Sequence, residues 1–182
     1  MANHGRRYLI VAILANLLIS NLVFASDTLL VQAGGAAGAG AGETGKPKLV
    51  DLWRPGDNGQ RMNIKGRVTA IDGTPIAGAS IYIRQADGNG SYHDERYRTV
   101  LTSDQKGRYQ FGSVVPGQYY GVKHVHVTVY HDDFRSLDTE IYFKGDPNLS
   151  DDSLPNAVFL EEAKVKGETI MFGRFDIMLA PN

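Results

Sequence analysis

The chain has 182 residues, 19 Lys and Arg against 20 Asp and Glu, a net charge of -1 and no cysteine. So even a balance of charge leaves no basic surface of the kind that holds nucleic acid or an anionic membrane. Without cysteine there is no disulfide framework, thiol nucleophile, thiolate zinc site or lipoprotein anchor, so a bound metal must take His, Asp, Glu or Tyr as ligands.

Residues 1–25 have the pattern of a signal peptide. Arg6 and Arg7 precede an apolar run from Tyr8 to Phe24, which ends in the small-residue cleavage pattern Val23-Phe24-Ala25. The run is shorter than the ~20 residues of a membrane span, so cleavage is expected rather than a retained anchor. The mature protein is then periplasmic or secreted, and Gly5-Arg6-Arg7-Tyr8-Leu9 also matches a twin-arginine signal. Residues 26–46 include an unbroken Gly/Ala run, Gly34 to Gly42, with no side chain able to build a core, and read as a flexible linker. Residues 47–182 remain as one folded domain.

From Arg61 onward the pattern is of short strands between turns. Ile64, Val68 and Ile71 lead into the turn Asp72-Gly73-Thr74-Pro75, and Ala79 to Arg84 alternates before Asp87-Gly88-Asn89-Gly90. Arg98 to Leu101, Tyr109 to Phe111, Lys123 to Tyr130, Glu140 to Phe143 and Gly173 to Leu179 are further strands. Only Ala157 to Lys166 hints at a helical period, and Asp151-Asp152 reads as a solvated loop. This spacing predicts an all-β fold, an antiparallel β-sandwich with short helical or irregular insertions.

In the strand Lys123 to Tyr130, alternation puts His124, His126, Thr128 and Tyr130 on one face and Val125, Val127 and Val129 on the other. Two imidazoles so placed can reach one metal ion, though a polar solvent face explains the pair equally simply. Tyr92 and Tyr119 lie upstream, and phenolate oxygen suits a hard trivalent ion such as ferric iron. Spacing alone does not bring them to the histidines, and with 9 tyrosines in the chain each also reads as a packing residue. His93 points away from Tyr92, His131 faces away from His124 and His126, and Trp53 reads as a packing residue.

Several motifs in order resemble the intradiol ring-cleavage dioxygenases, the catechol and protocatechuate 3,4-dioxygenase types, in a short exported form. They are Lys65-Gly66-Arg67-Val68, Gly73-Thr74-Pro75-Ile76-Ala77-Gly78-Ala79, Arg84-Gln85-Ala86-Asp87 where the family has Trp-Gln-Ala-Asp, and Gly90-Ser91-Tyr92. Ser103 to Tyr109, the His-x-His pair and Tyr142-Phe143-Lys144-Gly145-Asp146-Pro147 follow. The resemblance implies that Tyr92, Tyr119, His124 and His126 bind non-haem Fe(III), with Tyr119 also the catalytic ligand that leaves when a catechol binds. It implies a small aromatic diol and O2 as substrates and a homodimer as a further assembly. Two positions depart from the family. Gly121 stands where it has an arginine and Glu140 where it has a glutamine, both substrate-holding residues by the resemblance. The rival readings are a non-catalytic binding module of the transthyretin or carboxypeptidase-regulatory kind, and an iron-binding homologue with weak turnover.

Overall fold

The structure, a computed structural model, describes residues 46–182. The expected signal peptide, and the expected linker apart from Lys46, lie outside the described residues. Two sheets make the fold. The first runs β1 (Leu49–Asp51), β5 (Arg108–Val114), β2 (Arg61–Ala70), β10 (Glu168–Arg174), β9 (Glu161–Val165), and β11 (Ile177–Leu179) pairs with the far end of β2. The second runs β4 (Arg98–Thr102), β3 (Ser80–Gln85), β6 (His124–His131), β7 (Phe134–Phe143), β8 (Ala157–Val158).

A single buried cluster draws on both sheets. Met62, Ile64, Val68, Tyr109 and Phe111 come from the first, and Ile81, Ile83, Val125, Val127, Val129 and Ile141 from the second. Burying each such side chain stabilises the fold by roughly 1.5–3 kcal/mol, and alternation sends the intervening polar residues outward. The valines of β6 are therefore what commits its histidines to the opposite face.

The all-β sandwich expected from the sequence is present, with mixed rather than purely antiparallel sheets. β1 runs parallel to β5, β10 and β11 both run parallel to β2, and β8 runs parallel to β7. Parallel pairing follows from long crossovers, which residue alternation does not encode. At the break between β10 and β11 the chain passes close over β2. A Cβ on Gly66 would collide with the Phe175 carbonyl, and that carbonyl accepts a 2.6 Å bond from the buried Tyr109 hydroxyl. Glycine in Lys65-Gly66-Arg67-Val68 is thus required by backbone approach.

Ala157 to Lys166 is extended, not helical. It forms β8 and β9, and β9 turns into β10 through Lys166 and Gly167, both at positive φ. Asp151 and Asp152 are exposed, as expected, but in the first turn of a 3-10 helix, Asp151–Asn156. Among the described residues no helix is long and apolar enough to cross a membrane.

Candidate metal centre

The outward face of the second sheet carries the chemistry. Strand register sets Arg84 of β3, His126 of β6 and Glu140 of β7 in one row across it, with His124 beside Tyr142 in the next.

Tyr92 and Tyr119 arrive on two loops tied together at Asp87. One Asp87 carboxylate oxygen accepts the amides of Asn89 and Ser91 at 2.9 Å, and the other meets His93 Nε2 at 2.9 Å. The Asp87 carbonyl accepts Gly90 N–H from the Tyr92 loop and Gly117 N–H from the Tyr119 loop. Burial opposes the Asp87 charge, but His93 and these amides outweigh it and hold the carboxyl below its ordinary range. Tyr119 itself precedes a tight turn, Tyr119 to Val122, whose central residues Tyr120 and Gly121 have φ of 49° and 98°. Both central residues at positive φ is the type I′ pattern, which favours glycine at the second position. That is a local reason for Gly121. Asp146 anchors the other side, accepting the amides of Lys123 and Asn148 at 2.9 Å.

These elements bring Tyr92, Tyr119, His124 and His126 into one closed circuit of rings. Centroids are 4.6 Å apart from Tyr92 to Tyr119, 6.4 Å from Tyr119 to His124, 4.7 Å from His124 to His126 and 6.1 Å from His126 to Tyr92. His93 turns to Asp87, and His131 packs edge-on against Phe134, so neither joins the circuit. Trp53 lies under Arg61, whose guanidinium carbon is 4.2 Å from its ring centroid.

Contacts at Nδ1 orient both imidazoles. His124 Nδ1–H donates to the Val122 carbonyl at 3.0 Å, and His126 Nδ1 lies 3.1 Å from a Glu140 carboxylate oxygen. His124 then presents a bare Nε2, which faces His126 Nε2 at 3.2 Å. His126 meets that lone pair with a proton when no cation is present, and with a second lone pair when one lies between them. Burial, and after it His124 and Arg84, hold the His126 pKa below its ordinary range against the pull of Glu140.

The tyrosines complete the set. The Tyr92 hydroxyl is buried and has no hydrogen-bond partner, and burial raises its phenol above the ordinary range. The Tyr120 hydroxyl, then burial, raise Tyr119. Glu140 also lies close enough to His124 and His126 for one ligand atom of each to fall within 4.8 Å. Its carboxylate is already engaged, accepting the Tyr142 hydroxyl and lying 3.1 Å from His126 Nδ1, so it backs His126 as an outer partner. An orphaned phenol beside two facing imidazole nitrogens fits a hard cation.

The Dioxygenase_C family, described as dioxygenase, matches residues 38–181. The chain belongs to the intradiol ring-cleavage dioxygenase family. It is 29% identical to a chlorocatechol 1,2-dioxygenase of Rhodococcus opacus, over 76% of this chain and 66% of that one. With catechol 1,2-dioxygenase 2 of Acinetobacter lwoffii it shares 34% over 53% of this chain and 44% of the relative. The chain thus spans about half to two thirds of these relatives. The solved catechol 1,2-dioxygenase of Pseudomonas arvilla C-1 superposes with a TM-score of 0.66 at 25% identity, covering 76% of this chain and 59% of that one. The dioxygenase domain of a carbohydrate-binding fusion from Streptomyces sp. SirexAA-E shares the fold, with a TM-score of 0.59 at 22% identity, over 77% and 92% of the two chains.

Arg84 and Tyr142 are site residues that sequence reading left in the background. Both were visible as members of motifs, Arg84 in Arg84-Gln85-Ala86-Asp87. No local signal placed Arg84 opposite His126, because that depends on β3 pairing with β6.

Proposed function

We propose that the chain is a non-haem ferric dioxygenase that uses O2 to open catechol-type rings between their two hydroxyls. The observation that carries this reading is the opposed Nε2 pair of His124 and His126, at 3.2 Å, with the unpartnered Tyr92 hydroxyl alongside. Tyr92, Tyr119, His124 and His126 would hold the ion. When bound, ferric iron supplies a Lewis acid for a diol and an acceptor for ring electron density.

The residues around it have separable tasks. Val122 and Glu140 fix the two imidazoles through their Nδ1 atoms. Tyr92 is half-buried with its hydroxyl enclosed and suits a ligand that stays, whereas Tyr119 stands beside an exposed turn and can swing aside. Its oxygen is then a base that takes a catechol hydroxyl proton. An open groove of about 610 Å³ runs from His126 to the 3-10 helix, lined by Asp138, Glu140 and Asp152 and by no lysine or arginine. Such a groove accepts a neutral ring more readily than a ring carboxylate. The names of the catechol and chlorocatechol relatives support the same class. A binding module has no use for two imidazole nitrogens set face to face.

The proposal includes export. Residues 1–25 would be removed and residues 26–46 would tether the domain 47–182, on the strength of the arginine pair, apolar run and Gly/Ala tract. Sequencing the N-terminus of the mature protein tests this, and an intact Met1 in a membrane fraction overturns it. The activity is tested by loading the chain with iron, recording its visible spectrum and measuring catechol-dependent O2 uptake. A phenolate charge-transfer colour and stoichiometric uptake are expected. Iron binding without colour or uptake overturns the reading.

A further inference from the structure

We propose that Arg84 is a positioning residue of this centre: its guanidinium pins the Tyr92 ring and supplies the positive charge against which the Tyr92 oxygen, and a diol anion held beside it, carry negative charge. The inference rests on the reading of Tyr92, Tyr119, His124 and His126 as a metal centre.

Geometry carries it. Arg84 stands directly opposite His126 in the β3–β6 ladder, and Glu140 stands opposite His126 on its other side. The imidazole thus has a cation on one flank and an anion on the other. Arg84 Cζ lies 4.7 Å from the centroid of the Tyr92 ring, within the range of a cation held over an aromatic face. Among the described residues no carboxylate neutralises it. The ion pairs take up Arg61, Arg96, Arg98, Arg108 and Arg174, and Glu140 is occupied by His126 and Tyr142. An exposed guanidinium without an anion therefore stacks on a tyrosine whose buried hydroxyl lacks a partner.

A fixed positive charge this near the ring stabilises negative charge on its oxygen through Coulomb attraction. Stacking adds a second effect, because a planar guanidinium over the ring limits the directions in which Tyr92 can tilt.

Arg84→Met keeps an apolar stem over Tyr92 and removes the charge, while Arg84→Lys keeps the charge and loses the planar fork. Full-length wild-type and variant chains are loaded with iron and compared by visible spectrum, iron per chain, and KM and kcat for catechol, with far-UV circular dichroism as the folding check. In Arg84→Met the phenolate-to-iron band moves to longer wavelength, since a donor oxygen without a neighbouring cation gives up its electron more readily. Its KM for catechol rises roughly tenfold, with kcat changed less, and Arg84→Lys restores most of both. A band and KM unchanged in Arg84→Met overturn the proposal. An Arg84→Lys chain as impaired as Arg84→Met assigns the effect to stacking and overturns the role of charge. A wild-type chain that binds iron without a visible band overturns the reading of the centre, and this inference with it.

Discussion

His124 Nε2 and His126 Nε2 face each other at 3.2 Å, with His124 Nδ1–H held by the Val122 carbonyl and His126 Nδ1 lying 3.1 Å from Glu140. His124 therefore turns a bare lone pair toward His126, and His126 answers it with a proton or with a lone pair of its own. In the proposed centre a cation would accept both nitrogens, a closer geometric requirement than the spacing of two histidines gives.

Removing either imidazole therefore leaves three donors. His124→Ala and His126→Ala should each lower iron affinity by more than the roughly 10–100-fold typical of losing an outer partner. Metal content after dialysis against a chelator measures the loss, and retention equal to wild type contradicts the ligand assignment.

Tyr92 and Tyr119 should separate. Tyr92→Phe deletes a buried donor that has no other task, so iron retention and colour both fall. Tyr119→Phe deletes the donor beside the turn, so iron stays, the band shifts and catechol turnover drops by about 10²–10⁴-fold. The same iron loss in both variants argues against distinct roles.

Glu140 acts behind His126. Glu140→Ala should lower iron affinity by roughly tenfold, and Glu140→Gln, which can still accept Nδ1–H, by much less. Isothermal titration with ferrous iron under anaerobic conditions reads the difference. Equal losses in the two variants would falsify the orienting role.

Gly121 is fixed by its turn, not by lack of space. A Cβ there meets nothing within 4 Å, so the penalty of Gly121→Ala is the backbone strain at φ 98°. The expected loss is ~1 kcal/mol in urea unfolding, with iron binding retained.

Acid stability should depend on Asp57. Burial opposes its charge, but the Arg96 side chain and the Arg54 amide outweigh that and hold its carboxyl below the ordinary carboxylate range. A lowered folded value means the carboxylate contributes stability above the unfolded pKa and loses it as pH falls through the folded one. Asp57→Asn should flatten the acid limb of the stability curve below pH ~4, and the advantage of wild type over it should be full at pH 7 and shrink as the pH falls through that range. Identical acid limbs in denaturation series across that range count against it.

His93 looks like a free surface residue by parity, yet its ring holds Asp87, which ties the Tyr92 and Tyr119 loops together. Parity gives a direction for a side chain and is silent on which acid waits there. Much of the second sheet was legible in the same way. Val125, Val127 and Val129 announced the buried face of β6 and hence the outward face of His124 and His126. The parallel partners of β2 were not legible, because β10 and β11 reach it through long connections that leave no local mark.

The sequence by itself determined an all-β chain, the face on which two histidines stand, and the motifs that mark its family, since alternation and turn chemistry are local properties. Only the tertiary structure decided that Tyr92 and Tyr119 meet those histidines, that Val122 holds His124 and Glu140 flanks His126, and that Arg84 stands over Tyr92. Those relations depend on which strand lies beside which and on loops tied at Asp87, and strand order arises from packing two sheets around one core rather than from any single segment.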